Sequence, residues 1–320
     1  MLNFLRYNQP IFFIISAWTV LLTMLPFQYF NAVPVPADLP FGIILKLPVF
    51  IYYLLFAGVI FFTSFKINRI INKSVLFPKS FYLSGFIYLV LLVLYCPIPF
   101  LFLPIISNLF IVMAMQEFFK IFRNENCKNI IFKASVWLLL SAVLCPVNIF
   151  LVPITWLILL IIRPFVWREY IMPILVLVVF GLYIVPFGII NGNLFSWFNS
   201  WWGSHILFNY LDSKYILWFY IGFLALGLVF SINPISSTFI RSNNRYKKVT
   251  WVIISLLFFG LLIAVCSVPL FGIKIPFIFP FFIPISIIIS TGLIRSRYKW
   301  LIDLFFLTFF LGVLTLTYLQ

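Results

Sequence analysis

Residues 133–163 read KASVWLLLSAVLCPVNIFLVPITWLILLIIR, in which 29 uncharged residues lie between a lysine and an arginine. A helix needs about 20 apolar residues to cross a bilayer, so this run is too long for one crossing. Lys and Arg beside membrane spans stay on the cytoplasmic side during insertion. Because the run is basic at both ends, it predicts two short spans, 134–147 and 148–162, with a hairpin tip at Cys145–Pro146 on the outer side.

The rest of the 320-residue chain has the same character, with 65% hydrophobic residues, 8% charged residues and a mean hydropathy of +1.20. In lipid only helices and closed barrels satisfy their backbone hydrogen bonds, and the alternating pattern of barrel strands is absent. We therefore predict an all-α fold, a polytopic transmembrane helical bundle that forms a single domain over residues 1–320 and has no soluble domain. The predicted spans number about eleven, at 11–30, 47–65, 81–97, 103–119, 134–147, 148–162, 171–190, 214–232, 250–268, 276–294 and 300–318.

The basic residues divide unequally between the two sides of this predicted bundle. With the N-terminus in the cytoplasm and the C-terminus in the periplasm, all but three of the 21 Lys and Arg residues fall on the cytoplasmic side. The exceptions are Lys46, Lys214 and Lys274. This distribution predicts the orientation of a multi-pass protein in a bacterial inner membrane. It also assigns the net charge of +15 to contacts with membrane lipids rather than with nucleic acid.

Few polar residues occur inside the predicted spans, and those few have local structural interpretations. Ser107 and Asn108 are expected to form hydrogen bonds between helices. Glu117 precedes Lys120 by three residues, a spacing that predicts an ion pair on one helix. None of the six acidic residues lies at a predicted bilayer midplane, which disfavours an ion-coupled transporter.

The cysteine and histidine contents bear on metal and redox sites. Cys96, Cys145 and Cys266 each lie near the outer end of a span, where disulfides are compatible with the compartment but the apolar surroundings favour buried thiols. His205 is the only histidine, which excludes the multi-histidine di-iron sites of membrane oxygenases. Zinc-binding, Walker and dinucleotide-binding motifs are absent from the sequence, so we predict neither a metal nor a cofactor.

The predicted outer side carries a sparse set of polar residues that defines a candidate catalytic site. Those that could act as acids or bases are Asp38, His205 and Asp212. Those that could hold a substrate or lipid phosphate are Lys46, Lys214 and Lys274. A carboxylate or an imidazole can accept a proton from an acceptor hydroxyl, and lysines bind phosphate oxygens. The open alternative is that these residues form an ordinary solvated face.

The element R-P-F-V-W-R-E at residues 163–169 is the most specific feature of the central third of the chain. Together with LFIVMAMQEFFKIFR at 109–123 and IFKASVWLLLSAVLCP at 131–146, it resembles an uncharacterised family of polytopic integral membrane proteins from Bacteroidota. The match covers about residues 100–190. The resemblance implies a Gram-negative inner membrane and assigns no activity.

From its residues alone, the same element predicts an elbow at the cytoplasmic interface. Pro164 ends one helix, and Trp167 suits the depth of the headgroups. Arg163 and Arg168 are expected to meet lipid phosphates. Glu169, between Arg168 and the next span, is expected to have a structural role. The alternative is that the elbow docks a cytoplasmic partner.

The architecture is also similar to that of multi-span glycosyltransferases that use polyprenyl-phosphate-linked sugars. By that analogy Asp38 is the catalytic carboxylate, and His205 or Asp212 assists it. Those enzymes usually carry a long first outer loop with amphipathic helices, whereas the corresponding loop here, residues 31–46, is short.

Two functional hypotheses of different kinds follow. The first is a non-catalytic subunit of a cell-envelope assembly or export complex, in contact with membrane lipids and a membrane-protein partner. The short loops and the lack of a catalytic motif favour it. The alternative is a glycosyltransferase-like enzyme that uses a polyprenyl-linked sugar at the periplasmic face, which the outer polar residues favour.

Overall fold

The computed structural model describes residues 49–74, 81–95, 102–122, 126–190, 214–271 and 279–295, together with helical residues at 14, 15 and 18. Within these ranges the chain is almost entirely helical and contains no β-strand. The α-helices are α1 (Val49–Lys73), α2 (Leu83–Tyr95), α3 (Phe102–Ile121), α4 (Lys128–Leu144), α5 (Ile154–Ile162), α6 (Trp167–Tyr170), α7 (Met172–Ile190), α8 (Lys214–Arg241), α9 (Asn244–Phe271) and α10 (Phe279–Arg295). A 3-10 helix, Pro146–Leu151, lies between α4 and α5.

Four of these helices contain segments that are long and apolar enough to cross a membrane. The segments are Leu54–Lys73, Leu103–Ile121, Leu224–Arg241 and Asn244–Ile263. The prediction of an all-helical protein with membrane-spanning helices is confirmed at this level. The number of spans and the orientation of the termini stay predictions, and the predicted spans 300–318 and most of 11–30 lie outside the described residues.

Three helices are longer than the apolar runs that predict them. α1 continues past residue 65 to Lys73, α8 continues past residue 232 to Arg241, and α9 begins at Asn244, ahead of residue 250. The added turns contain Lys and Arg, which are good helix formers and keep their charged groups in water or among headgroups. These charges therefore lie on ordered helices rather than in loops.

The centre of the bundle is formed by α2 and α10. Every residue from Leu83 to Leu92 is buried, and so are most residues from Phe282 to Leu293. α10 packs against α2, α3, α8 and α9, and α2 also packs against α1. Helices that are apolar on all sides are expected in the interior of a bundle. The outer helices α7 and α8 instead expose many large apolar side chains, which suits contact with lipid tails.

Two glycines let the central helices approach their neighbours closely. A Cβ placed on Gly85 of α2 would lie 2.3 Å from the carbonyl oxygen of Ser64 on α1. A Cβ placed on Gly292 of α10 would lie 2.4 Å from Cα of Ser231 on α8. Small residues permit such backbone contacts between transmembrane helices. At the first crossing the Gly85 amide donates to Oδ1 of Asn68 (2.7 Å), which satisfies a free N–H of the first turn of α2.

A buried polar cluster connects the central helices to the 3-10 helix. Asn148 Nδ2 donates to Ser141 Oγ of α4 (2.8 Å) and to Ser107 Oγ of α3 (3.1 Å). Asn108 Nδ2 donates to the Tyr88 hydroxyl of α2 (3.3 Å). These bonds confirm the interhelical pairing predicted for Ser107 and Asn108, and they satisfy amide donors that would be costly to bury alone.

The run at residues 133–163 is divided at Cys145. α4 ends at Leu144, Cys145 has an extended backbone (φ −138°, ψ 97°), and Pro146 begins the 3-10 helix. Proline suits this first position because the N–H it lacks would have no partner there. The run therefore forms two segments that pack together in place of one long helix. Cys145 is a buried free thiol, whereas Cys96 and the side chain of Cys266 lie outside the described part of the chain.

The helix ends that carry Lys and Arg come together at one end of the bundle, which we call the basic end. It comprises the last turns of α1, α3, α8 and α10, the first turn of α9 and the turn that follows α5. Lys248 Nζ donates to the carbonyl oxygen of Ile162 (2.7 Å), and Arg295 Nη1 donates to the Tyr246 hydroxyl (2.7 Å). The described Lys and Arg residues of the helix ends that the predicted topology assigns to the cytoplasmic side thus lie at one end of the structure. The side of a membrane that this end faces stays a prediction.

Candidate functional site

A cleft of about 250 Å³ opens at the basic end, between the last turns of α1 and α3 and the first turns of α9. Its cationic lining residues are Lys66, Arg69, Lys73, Lys120 and Arg245. Its apolar lining residues are Ile70, Phe119, Phe122 and Val249, and Ser74 and Gln116 complete it. We call this site the basic cleft.

Helical periodicity brings the cations of the basic cleft to one surface. On α1, Lys66, Arg69 and Lys73 are spaced i, i+3 and i+7, so all three lie on one face. On α3, Lys120 is one turn beyond Gln116 and therefore shares its face. Because α1 continues as a helix to Lys73 and α3 to Ile121, these charges are held at fixed positions relative to one another.

The wall behind these charges is apolar. Ile70 and Val249 are buried, and the rings of Phe119 and Phe122 are half-buried against the core. The aliphatic stems of Lys and Arg can lie along such a surface while their charged groups reach water. Lys66 Nζ lies 5.4 Å from the ring centroid of Phe62, a cation–π contact that holds its ammonium group near the ring.

The described lining of the basic cleft is cationic without an acidic residue. The nearest described carboxylate is that of Glu117, which is buried and forms a salt bridge with Lys120, so the predicted local ion pair is confirmed. That pair offsets one charge of the cleft. Lys66, Arg69 and Arg245 leave the cleft with an excess of positive charge, and an anion placed there would lower their mutual repulsion.

Arg245 adds a specific donor to this site. Its Nε is buried and has no hydrogen-bond partner among the described residues. A buried donor left without an acceptor costs about 1–3 kcal/mol. Guanidinium groups bind carboxylate and phosphate oxygens through paired N–H donors. The cleft is therefore equipped to receive an oxyanion.

The elbow at residues 163–169 also lies at the basic end, outside the lining of the cleft. α5 ends at Ile162, Arg163 has an extended backbone (φ −136°, ψ 156°), and α6 begins at Trp167 after Pro164. The bend thus occurs where the sequence predicts it. Trp156 Nε1 donates to the carbonyl oxygen of Tyr170 (3.0 Å), which fixes α6 against α5.

The charged residues of the elbow have partners within the protein. Arg163 Nη1 donates to Oε1 of Glu169 (3.1 Å), and the Glu169 side chain is only 6% exposed. The sequence predicts that Arg163 meets lipid phosphates, and it gives no sign of the pairing with Glu169. The ring of Trp167 is exposed, and the Arg168 guanidinium carbon lies 5.8 Å from its centroid. These outer two side chains remain placed to meet headgroups.

Cys127, at the start of α4, lies beside the elbow. Burial raises the pKa of its thiol, the positive charge of Arg163 lowers it in part, and the negative charge of Glu169 raises it. The thiol also donates to the carbonyl oxygen of Ile121. The pKa of Cys127 therefore depends on the charges of both Arg163 and Glu169.

Most of the residues predicted for the outer site cannot be placed in this geometry. Asp38, Lys46, His205, Asp212 and Lys274 lie outside the described residues. Lys214 is the first residue of α8, whose other end lies at the basic end. At 1.5 Å per residue its backbone is about 40 Å from that end. Lys214 therefore takes no part in the basic cleft, and the outer site stays a prediction.

Sequence reasoning missed the basic cleft because it treated Lys66, Arg69 and Lys120 as separate membrane-flanking charges. The i, i+3, i+7 spacing on α1 is a signal that could have found one wall of it. The other walls come from α3 and α9, and only packing shows that Arg245 completes the site. Within the described residues, no cluster of three or more His, Cys, Asp and Glu side chains could hold a metal ion.

Comparison of the chain with protein-family models, with curated proteins and with solved structures finds no match. The resemblance of residues 100–190 to a Bacteroidota membrane-protein family therefore stays a prediction.

Proposed function

We propose that this chain is a multi-pass protein of a bacterial inner membrane that binds the phosphate group of a membrane lipid in its basic cleft. In this proposal it acts as a non-catalytic subunit of a cell-envelope assembly or export complex and holds the lipid there. The observation that carries the proposal is the convergence of five cationic side chains from three helices on one cleft.

The depth of the cleft favours a lipid as the source of the phosphate. Lys66 directly follows the predicted span that ends at residue 65, and Lys73 lies two turns further along α1. The cations of α1 are thus spread over about 10 Å along the helix axis. The polar headgroup layer of each leaflet is about 5–8 Å thick, so these charges occupy the level at which lipid phosphates lie.

The distribution of charge supports a cytoplasmic location for the basic end. Lys and Arg beside spans favour the cytoplasmic side, and the structure gathers the described basic residues of six helix ends at one end. Anionic lipids are attracted to such surfaces by about 1 kcal/mol per basic residue. The same Lys and Arg residues therefore support both the cytoplasmic location of the basic end and the proposal that it binds an anionic lipid.

Lipid binding to purified protein tests the proposal. The full-length chain would be extracted in mild detergent, delipidated and titrated with phosphatidylglycerol or with inorganic pyrophosphate, with complexes counted by native mass spectrometry. The variant Lys66→Gln/Arg245→Gln should weaken phosphatidylglycerol binding by about a hundredfold, because each substitution removes a charge-assisted hydrogen bond worth about 1.5 kcal/mol.

The matched control is Lys128→Gln/Lys133→Gln, which also removes two positive charges, from exposed positions of α4 outside the cleft. It should retain wild-type binding. Equal losses in both variants would show non-specific attraction and would overturn the proposed site. Binding of pyrophosphate without phosphatidylglycerol would keep the cleft as an anion site and overturn its assignment to lipid. A pull-down of the tagged protein would test the partner complex.

A further inference from the structure

A second cavity, of about 470 Å³, lies on the other side of the first turns of α9. It is bounded by α8, α9 and α10 and opens on the outer surface between α8 and α9. Arg245 and Val249 of α9 line the basic cleft, whereas Tyr246 and Thr250 line this second cavity. We call it the apolar groove, and α9 separates it from the basic cleft.

The wall of the apolar groove offers almost no polar atoms. Its lining consists mainly of Ile, Leu, Phe and Trp side chains. Three of its hydroxyl groups donate to carbonyl oxygens of their own helices: Ser236 Oγ to Asn233 (3.0 Å), Thr250 Oγ1 to Tyr246 (2.9 Å) and Thr291 Oγ1 to Ile288 (2.8 Å). Hydroxyls bonded in this way present their carbon atoms to the groove, so the wall suits a hydrocarbon chain.

The length of the groove matches one leaflet of a bilayer. Along α8 the lining runs from Leu228 to Ile240, which spans about 18 Å at 1.5 Å per residue. Along α9 it runs from Tyr246 to Leu257, or about 16 Å. Half of a hydrocarbon core is about 15 Å thick. The groove is therefore about as long as the part of an acyl chain that one leaflet contains.

The mouth of the groove at the basic end is lined by two aromatic residues, and each has a cation against it. The Arg295 guanidinium carbon lies 4.8 Å from the ring centroid of Tyr246, and its Nη1 donates to the Tyr246 hydroxyl. Lys247 Nζ lies 5.9 Å from the ring centroid of Phe239. Two half-buried cations thus flank the entrance to an apolar groove. This combination fits a ligand with an anionic head and a hydrocarbon chain.

We propose that the apolar groove binds one acyl chain of an anionic phospholipid, with the lipid phosphate at the mouth between Arg295 and Lys247. The site is distinct from the phosphate site of the basic cleft and stands whether or not that cleft binds lipid. A second copy of this chain is a poorer occupant, because a copy in the same orientation would bring its own cations to the same level.

Filling the groove with a larger side chain tests the proposal. Ile254 and Leu262 both lie on α9 and are both 37% exposed, but only Ile254 lines the groove. Ile254→Trp should weaken the binding of phosphatidylglycerol to the detergent-purified full-length protein by about tenfold, and Leu262→Trp should leave it unchanged. Native mass spectrometry would count bound lipids, with both substitutions made in the Lys66→Gln/Arg245→Gln background, which removes binding at the basic cleft.

The mouth is tested by a separate comparison of lipids. Arg295→Gln/Lys247→Gln should reduce binding of phosphatidylglycerol by a similar factor while leaving binding of diacylglycerol, which has the same chains and no phosphate, unchanged. The basic-cleft variant Lys66→Gln/Arg245→Gln should retain the groove lipid, so the two proposals fail independently. Equal phosphatidylglycerol binding by wild type, Ile254→Trp and Leu262→Trp would overturn the groove as a lipid site. A dimer that Ile254→Trp alone dissociates would identify a second copy as the occupant instead.

Discussion

The elbow and the basic cleft lie at the same end of the bundle and use arginine in opposite ways. Arg163 of the elbow has a nearly buried carboxylate, Glu169, as its acceptor at 3.1 Å. Arg245 of the cleft has a buried Nε with no partner in the described structure, among cations of two other helices. An arginine with an internal acceptor thus supports the fold, whereas the Nε–H of Arg245 is the buried donor that we propose an anionic ligand satisfies.

Removing the acceptor at the elbow should produce the largest effect. Glu169→Gln leaves the Arg163 side chain, which is 22% exposed, without its counter-charge. Loss of one member of such a pair costs about 3 kcal/mol of unfolding free energy. Denaturant or thermal unfolding in detergent would measure it.

The control is Glu117→Gln, whose partner Lys120 is 46% exposed and has water as an alternative. Exposed pairs contribute about 1 kcal/mol or less. Equal losses in Glu169→Gln and Glu117→Gln would remove the distinction between the elbow pair and a pair whose cation is exposed to water.

The next largest effect should be the stabilisation by bound lipid, which we expect to depend on the basic cleft and not on the elbow. Phosphatidylglycerol at about 100 times its Kd should raise the unfolding free energy by about 2.7 kcal/mol. Lys66→Gln/Arg245→Gln should lose the part of this increase that comes from the basic cleft, and Glu169→Gln, although less stable, should keep it. A cleft variant that responds to lipid as wild type does would contradict the assigned role of Arg245.

Without lipid, the same cleft variant should be as stable as wild type or more stable by up to about 1 kcal/mol. Its removed charges repel one another and have no acidic partner among the described lining residues. Unfolding in uncharged detergent would measure this difference. A marked loss of stability would mean that the cleft cations support the fold as Arg163 does.

The smallest effect is expected on the pKa of Cys127, which depends on the charges of the elbow. Burial raises the pKa of its thiol, and Arg163 partly lowers it. Arg163→Gln removes the lowering influence, so the pKa rises, less thiolate is present at a given alkaline pH and alkylation slows. Arg245→Gln should leave the rate unchanged. The measurement uses a chain in which the other three cysteines are replaced by alanine.

The helical fold follows from the sequence because apolar runs and basic flanks are local signals. The Glu117–Lys120 pair and the bend after Ile162 were predicted for the same reason, since each depends on residues a few positions apart. The ends of α1 and α9 were not predicted, because hydropathy marks the edge of the hydrocarbon layer and not the last hydrogen-bonded turn.

The candidate site depended on information that is not local. Lys120 and Arg245 are separated by 125 positions in the sequence, and they line one cleft only because the fold brings the basic ends of α3 and α9 together. The apolar groove is less visible still, because its residues look like any lipid-facing surface until α8 and α9 diverge over α10. The residues chosen for an outer catalytic site stand apart from both, and Lys214 lies at the far end of α8.

The burial of α2 also constrains how the protein is made. The described part of this helix, Leu83–Tyr95, precedes the described part of its neighbour α10, which begins at Phe279. At about 5–20 residues per second, about 10–40 s of translation separate the two helices. Throughout that interval the future centre of the bundle must be sheltered by lipid or by the insertion machinery. Ribosome stalling before residue 279 would therefore leave a chain in which the surface of α2 that packs against α10 has no protein partner from that helix.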